Sequence, residues 1–445
     1  MTHVWKNWAR TVRCAPRYLV RPRSEQEIIA AVRLAAREGL TVRAAGSGHS
    51  FNPLVSTDGV LVDLTRFTGI QRVDREARTV TVRSGTTLAA VNTALEQAGL
   101  ALPNIGTLAE QTVAGALATG NHGSGIKHRP FSDLVESLGL VTADGGVRRL
   151  TRDGTPALLR CALTALGTLG IVTTVTLRCV PAFNLRVSET TEALQALLER
   201  FEQWAGSAEH ISCCWMPWSD TVTSRSLRPT AHAATVRARR QRYAATVSEV
   251  KAGLIGLSAH LAPGSVPALS RMPARPASVP APAPTQYVDA AHRVFTFPQP
   301  VKFVALEHAL ALEDVPRALR ELRGVLRRAG RYSPYSVLVR VGAGDDVPLS
   351  PAYGRTTGYI NLTVPRSAAF LELHRAVERV LRDFDGRPHW GKAHTATAEV
   401  LAPRYPEWAE FQRVRRELDP DARFTNDFVA RVLGPVLPAR SAEGS

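Results

Sequence analysis

Three observations predict an α+β chain of two domains. Short apolar strands alternate with amphipathic helices, yet no Gly-x-Gly-x-x-Gly opens a helix, so the order is not a Rossmann array. Two glycine-rich turn regions lie in the N-terminal third, around 46–48 and 115–125. The pattern then changes between Pro181 and Leu185, where a second domain is expected to begin. At 445 residues and 44% apolar content the chain can bury two cores, which excludes a disordered protein.

The elements follow in order. Ser24-Glu25-Gln26-Glu27 is a capping box that opens a helix from Ile28 to Arg37, stopped at Gly39. Leu40 to Ala45 reads as a buried strand leading into the 46–52 turn, so a strand runs into a glycine turn as a phosphate site requires. Strands are expected at Gly59 to Leu64 and Thr79 to Arg83, with a helix from Thr87 to Gln97 closed by Gly99. Leu138 to Ala143, the turn Asp144-Gly145-Gly146, and Val147 to Leu150 form a hairpin by the Asp-Gly rule. Leu166 to Val172 leads into a strand from Thr173 to Arg178. Seven prolines between Pro263 and Pro284 forbid a regular element and read as an extended insertion or loop. A sheet resumes at Val301 to Glu307, and a helix runs from Val315 to Arg328.

Net charge is +16, with a sequence pI near 10.4. Such a balance ordinarily raises nucleic acid as a partner. Only five of the 55 basic residues are lysine (Lys6, Lys127, Lys251, Lys302, Lys392), and the arginine excess reads as the coding bias of a GC-rich genome. The cluster Arg237, Arg239, Arg240 and Arg242 lacks interleaved aromatics for base stacking, so it reads as a solvated face and no nucleic-acid partner is expected. No apolar run approaches a membrane span, and Met1 to Arg21 lacks the layout of a signal peptide, so a cytoplasmic protein is expected. The five cysteines, Cys14, Cys161, Cys179, Cys213 and Cys214, show no CxxC spacing, which argues against a disulfide framework or a zinc site.

The stretch Arg43-Ala44-Ala45-Gly46-Ser47-Gly48-His49-Ser50-Phe51-Asn52 ends a strand in alternating glycines and one histidine. Without Cβ atoms the backbone can close round a pyrophosphate with its N–H groups. A second such region, Pro103-Asn104-Ile105-Gly106-Thr107 and then Thr112 to Gly125, would let two loops grip one dinucleotide. Near the C-terminus stand Arg387-Pro388-His389-Trp390-Gly391-Lys392-Ala393-His394 and Arg423-Phe424-Thr425-Asn426-Asp427-Phe428. Together these motifs resemble the vanillyl-alcohol-oxidase superfamily and, within it, the sugar-lactone and alditol oxidases. The resemblance runs from Asn7-Trp8 to Val432 and is thin between Gly206 and Phe295.

The resemblance implies a PCMH-type FAD-binding domain over 1–182, a sheet-and-helix substrate domain over 183–403, and a segment over 404–445 returning to the first domain. It implies FAD bonded through His49, against the alternative of a loop histidine beside a noncovalent flavin. Flavin contacts are expected from Ala45, Gly46, Ser47, Gly48, Ser50, Gly106, Thr107, Thr112, Gly115, Thr119, His122, Gly123, Gly125, Gly170, Ile171 and Lys392, with Ser124 also lining the cofactor. Gly106 would leave a path for dioxygen, unless it only permits a tight turn. Lys392 would stabilise charge on the reduced ring, Arg340 would orient substrate hydroxyls, and Asn361 stands at a catalytic position. Relatives place a glutamate two residues before the arginine; here it is Leu338, which cannot act as a base. His394, His389 or Glu307 must take over, and His394 is the candidate because a strand would put it on one face with Lys392; a supporting histidine is the alternative.

The implied reaction is oxidation of a CH–OH carbon of a sugar-like, lactone or polyol molecule, with hydride passing to FAD and electrons to dioxygen, releasing peroxide. The alternatives are a tailoring step on a glycosylated, nucleoside or aminocyclitol metabolite, a dehydrogenase using another acceptor, and a flavin-binding protein whose pocket has decayed.

Overall fold

The computed structural model describes residues 4–235, 286–329, 333–366 and 370–436, with isolated positions between 236 and 285. The expected insertion at Pro263 to Pro284, Leu269 apart, and the cluster Arg237 to Arg242, Ala238 apart, lie outside the described residues.

Three sheets carry the fold. In the first, β1 (Tyr18–Val20), β2 (Val42–Ala45) and β3 (Val60–Asp63) are parallel in the order β1-β3-β2. Helix α1 (Glu25–Glu38) connects β1 to β2; the Ser24 hydroxyl accepts from the Glu27 amide, and Gly39 closes the helix at φ 63°. The second sheet is antiparallel, with β4 (Ile70–Asp74), β5 (Thr79–Arg83), β6 (Val135–Val141), β7 (Val147–Thr151) and β8 (Ile171–Arg178) in the order β7-β6-β8-β5-β4. Helices α2 (Leu88–Gln97), α3 (Val113–Ala118) and α4 (Pro156–Leu163) supply Leu88, Val113 and Leu159 to its core.

The third sheet has eight antiparallel strands: β9 (Asn184–Ala193), β10 (His210–Trp215), β11 (Thr221–Thr230), β12 (Gln286–Ala290), β13 (Phe303–Ala311), β14 (Val337–Gly342), β15 (Thr357–Pro365) and β16 (Arg387–Pro388). Their order is β12-β9-β11-β10-β14-β15-β13-β16. Successive side chains alternate between its faces. Ile211, Val339 and Ile360 point to one face, into a core shared with helices Leu194–Glu199, Val315–Arg328 and Leu371–Arg382. On the other face, Leu185, Val187 and Leu227 join the core of the second sheet, so this face meets the N-terminal region. The C-terminal helices Trp408–Leu418 and Asp427–Leu433 also feed that N-terminal core, through Phe411, Val414, Phe428 and Val429, while the Val42 amide donates to the Arg423 carbonyl at 2.8 Å.

Candidate active site

Two cavities share lining residues: one lies within the N-terminal sheets, the other where the eight-stranded sheet meets them. The first is a slot lined by Arg43, Ala44, Gly46 to Ser50, Thr112, Gly115, Leu117, Thr119, Leu140, Leu166, Gly167, Gly170 and Ile171. One part is glycine backbone and hydroxyls, the other is aliphatic. A Cβ on Gly46 would lie 2.1 Å from the Thr112 hydroxyl oxygen, which accepts the Gly115 amide at 3.2 Å as the cap of α3. The bare backbone at Gly46 therefore lets the two glycine loops approach each other. Gly167 stands at φ 67°, a left-handed backbone conformation that glycine adopts without strain.

Arg43 organises the slot from below. It is fully buried, and its guanidinium donates to the carbonyls of Leu54, Leu166, Gly167 and Phe424 at 2.9, 2.6, 3.2 and 2.6 Å. One side chain thus ties the 46–52 loop, the 166–170 turn and the C-terminal segment. Burial lowers its pKa to about 9, so it stays charged at neutral pH.

The second cavity is a chamber lined by Trp8, His49, Ser50, Phe51, Gly106, Thr107, Gln111, Asn121, His122, Gln299, Phe303, Glu307, Arg340, His389, Gly391 and Lys392. His49, Ser50 and Gln111 line both cavities, which makes His49 the hinge between them. Its ring packs 5.2 Å from that of Trp8; burial and the Lys392 ammonium lower its pKa to about 4, so the imidazole is neutral with a free lone pair. The His49 loop is stitched to the 389–392 turn: the Phe51 amide donates to the Gly391 carbonyl at 2.8 Å, and the Asn52 amide group to the carbonyls of Trp390 and Lys392 at 2.7 and 2.9 Å. Trp390 is anchored in turn through its indole N–H to the Leu349 carbonyl at 2.7 Å.

Glu307 sits at the chamber floor, 4% exposed. Its Oε1 lies 2.7 Å from His122 Nε2 and its Oε2 accepts from Asn361 Nδ2 at 2.8 Å. The Thr363 hydroxyl donates to Asn361 Oδ1 at 3.1 Å, which fixes that amide with its nitrogen toward the glutamate. His122 Nδ1 faces the Gly123 carbonyl at 3.0 Å, which places a hydrogen on that nitrogen. His122 also stacks on Tyr359, ring centroids 3.5 Å apart. Although burial opposes its charge, contact with His122 and the Lys392 ammonium hold the Glu307 carboxyl well below the usual carboxylate range. Each carboxylate oxygen keeps one lone pair for a chamber ligand.

The neighbouring histidines are excluded as bases. His389 Nδ1 accepts from the Gly391 amide at 3.0 Å, which leaves the hydrogen on Nε2, and burial keeps the ring neutral with a pKa near 3. It can donate to a ligand but not take its proton. The expectation for His394 is corrected: 389–397 is turn and irregular backbone rather than strand, and the ring packs on Trp390 and Phe428 at 6.3 and 5.6 Å, outside the chamber. Helix Asp427–Leu433 covers the side His394 turns to.

Other expected contacts divide. Gly46, Ser47, Gly48, Ser50, Thr112, Gly115, Thr119, Gly170 and Ile171 line the slot, while Gly106, Thr107, His122, Arg340 and Lys392 line the chamber. Asn361 reaches it through Glu307. Three expected contacts lie elsewhere. Ala45 is buried in β2 and its neighbour Ala44 faces the slot; Gly123 packs against Asn104, where a Cβ would be 1.9 Å from Oδ1; Gly125, at φ 112°, bridges to Gly342 and its amide donates to the Val341 carbonyl. Ser124 likewise lines neither cavity. Sequence reasoning missed Arg43, Trp8, Gln111, Gln299 and Phe303 as lining residues. Of these only Arg43 carried a signal, a charge inside an apolar strand.

The profile of the D-arabinono-1,4-lactone oxidase family matches residues 175–432, and that of an FAD binding domain matches residues 16–151. Over 436 residues the chain is 36% identical to the L-gulono-1,4-lactone dehydrogenase of Mycobacterium tuberculosis, covering 98% of this chain and 100% of the relative. It is 30% identical to the L-gulonolactone oxidase of Bos taurus and 32% identical to an alditol oxidase of a Streptomyces species, each covering 96% of this chain and 98% of the relative. Among solved structures a solvent-stable cholesterol oxidase superimposes with a TM-score of 0.79 at 19% identity, covering 96% of this chain and 97% of that one.

Proposed function

We infer the reaction from a premise: the chain belongs to the D-arabinono-1,4-lactone oxidase family within the vanillyl-alcohol-oxidase superfamily, and it is an FAD-dependent oxidoreductase acting on the CH–OH group of a sugar-lactone-like or alditol-like molecule. The observation that carries the finer reading is the sharing of His49 by the slot and the chamber. The slot residues Gly46 to Gly48, Thr112, Gly115 and Gly170 hold the dinucleotide, and His49, neutral and unprotonated on one nitrogen, bonds the flavin covalently. When bound, FAD accepts the hydride of the carbinol carbon, and dioxygen is the acceptor that reoxidises it, giving peroxide.

The chamber side chains do the rest. Glu307 takes the hydroxyl proton. As hydride departs, the hydroxyl becomes that of a protonated carbonyl, which is far more acidic than any carboxylic acid, so even a carboxylate held below its usual range is basic enough. Asn361 and His122 keep that carboxylate in place, and Lys392 supplies fixed positive charge where negative charge accumulates. His389 offers its Nε2 hydrogen to a substrate oxygen, and Arg340 holds the far end of the substrate.

The test is acid precipitation of the purified protein and of His49→Ala. Yellow colour retained in the wild-type pellet and released by the variant is the expected result. Colour released by both would overturn the covalent link and leave the CH–OH chemistry standing, because that chemistry is read separately from anaerobic bleaching of the flavin by sugar lactones and alditols.

A further inference from the structure

Two arginines stand on the chamber side of the eight-stranded sheet, in one row across neighbouring strands: Tyr359, Arg340, Ser212 and Arg225 are successive register partners. Their circumstances differ. Arg225 donates to the Tyr287 hydroxyl at 2.9 Å and the Val294 carbonyl at 3.3 Å, faces Glu189 at 3.7 Å and covers the Phe297 ring at 4.6 Å, with only its Nε lacking a hydrogen-bond partner. The Arg340 guanidinium meets no hydrogen-bond or ion-pair partner among the described residues, although it lines the chamber. The one carboxylate lining that chamber, Glu307, already accepts from His122 and Asn361. The position beside Arg340 that faces Asn361 across the strands is Leu338, which offers no acceptor.

Charge bookkeeping in the chamber follows. His49 and His389 are neutral at pH 7, and Glu307 is the one carboxylate lining the chamber. Two cations remain, Lys392 and Arg340. Lys392 lies on the His49 side, 5.4 Å from the Phe51 ring, and answers the charge that develops in the cofactor. Arg340 feels the attraction of the Glu307 carboxylate but hydrogen-bonds to no group among the described residues. A planar guanidinium held in a chamber wall without an acceptor is a fork for a carboxylate.

We propose that the substrate enters this chamber as an anion, a hydroxy acid of the aldonate type, with its carboxylate on Arg340 and its carbinol on Glu307. The proposal rests on the CH–OH reading above and narrows its substrate class from lactone or polyol to the open-chain acid. In the reaction the C–H and O–H bonds of the carbinol break and C=O forms; the hydride goes to the bound flavin, the proton to Glu307, and the carboxylate on Arg340 is unchanged.

The experiment presents a six-carbon aldonate, the matching alditol and the matching 1,4-lactone to the anaerobic flavoprotein and follows flavin bleaching. The aldonate is expected to have the highest kcat/KM, and Arg340→Met to lower it by about 30-fold or more, as loss of one partner of a desolvated charge pair does. Leu338→Glu, which places a carboxylate beside Arg340, is expected to reverse the order in favour of the alditol. A second readout needs no turnover: succinate, which has no carbinol, should perturb the flavin spectrum saturably in the wild type and about 30-fold more weakly in Arg340→Met of equal flavin content. An alditol or lactone matching the aldonate, or succinate binding that Arg340→Met leaves unchanged, would overturn the proposal. If none of the three compounds bleaches the flavin, the CH–OH reading fails, and the succinate titration still decides the role of Arg340.

Discussion

The slot and the chamber share a wall at His49 and are built on opposite principles. The slot is made of backbone: glycines at 46, 48, 115 and 170 clear a path, and the capping hydroxyl of Thr112 holds two loops together. The chamber is made of side chains delivered by β13, β14, β15 and the turns at 121–122 and 389–392. A backbone cradle grips a constant ligand and is indifferent to most side chains around it. A side-chain chamber can change its chemistry by single substitutions on a sheet that does not move. Damage to the two regions should therefore separate into lost cofactor and lost turnover.

Glu307→Gln is the sharpest way to break that division. The amide nearly matches the carboxylate in shape, can still meet Asn361 and His122, and cannot take a proton. Turnover should fall about 1000-fold, within the range for loss of a positioned base, while flavin content and absorbance hold. Rapid-mixing flavin reduction against the visible spectrum reads both. Loss of flavin together with activity would mean that the carboxylate supports the slot as well, and the two regions would be one.

Arg43→Met attacks the other side. Four carbonyls would lose a buried donor, and the expected destabilisation is roughly 3 kcal/mol, about a 100-fold weaker hold on the organised slot. The protein should carry less flavin per chain and melt earlier. The fraction that does carry flavin should oxidise substrate at the wild-type rate, because Arg43 lines no part of the chamber. Reduced turnover per bound flavin would show that the slot also sets chamber geometry.

The same contrast explains what could be read from sequence. The slot was legible because glycine spacing is local: Gly46, Gly48 and Gly115 lie in short stretches whose physical meaning does not depend on distant residues. The capping box at Ser24 and the helix Val315–Arg328 were legible for the same reason. Of the chamber, single residues such as His122, Arg340 and Lys392 were named from motifs, but the joining of Glu307, Asn361 and His122 was not legible, because strand register and packing across two sheets bring them together, and 185 residues separate His122 from its partner. The placement of His394 failed on one local error. A turn at 390–392 breaks the two-residue alternation that a strand would have kept, and the histidine turns into the core. Gly123 and Gly125 were expected as cofactor contacts from the resemblance of the Thr112 to Gly125 stretch, whereas here Gly123 packs against Asn104 and Gly125 bridges to Gly342.

Gly106 lies on the boundary and has the smallest expected effect. A Cβ there would lie 2.6 Å from Asn121 Nδ2, and Asn121 already accepts the Gly106 amide at 3.0 Å and donates to Gln111 Oε1 at 2.7 Å. Gly106→Ala must therefore displace Asn121 as well as narrow the chamber. If the glycine serves an open path for dioxygen, reoxidation of the reduced enzyme slows about tenfold, near 1.4 kcal/mol of barrier, and anaerobic reduction by substrate stays within about twofold. If its purpose is only to seat Asn121, the two half-reactions slow together, since the Asn121–Gln111 pair forms part of the wall that both share. The ratio of the two rates, measured on one preparation in a stopped-flow instrument, assigns Gly106 to acceptor access or to packing.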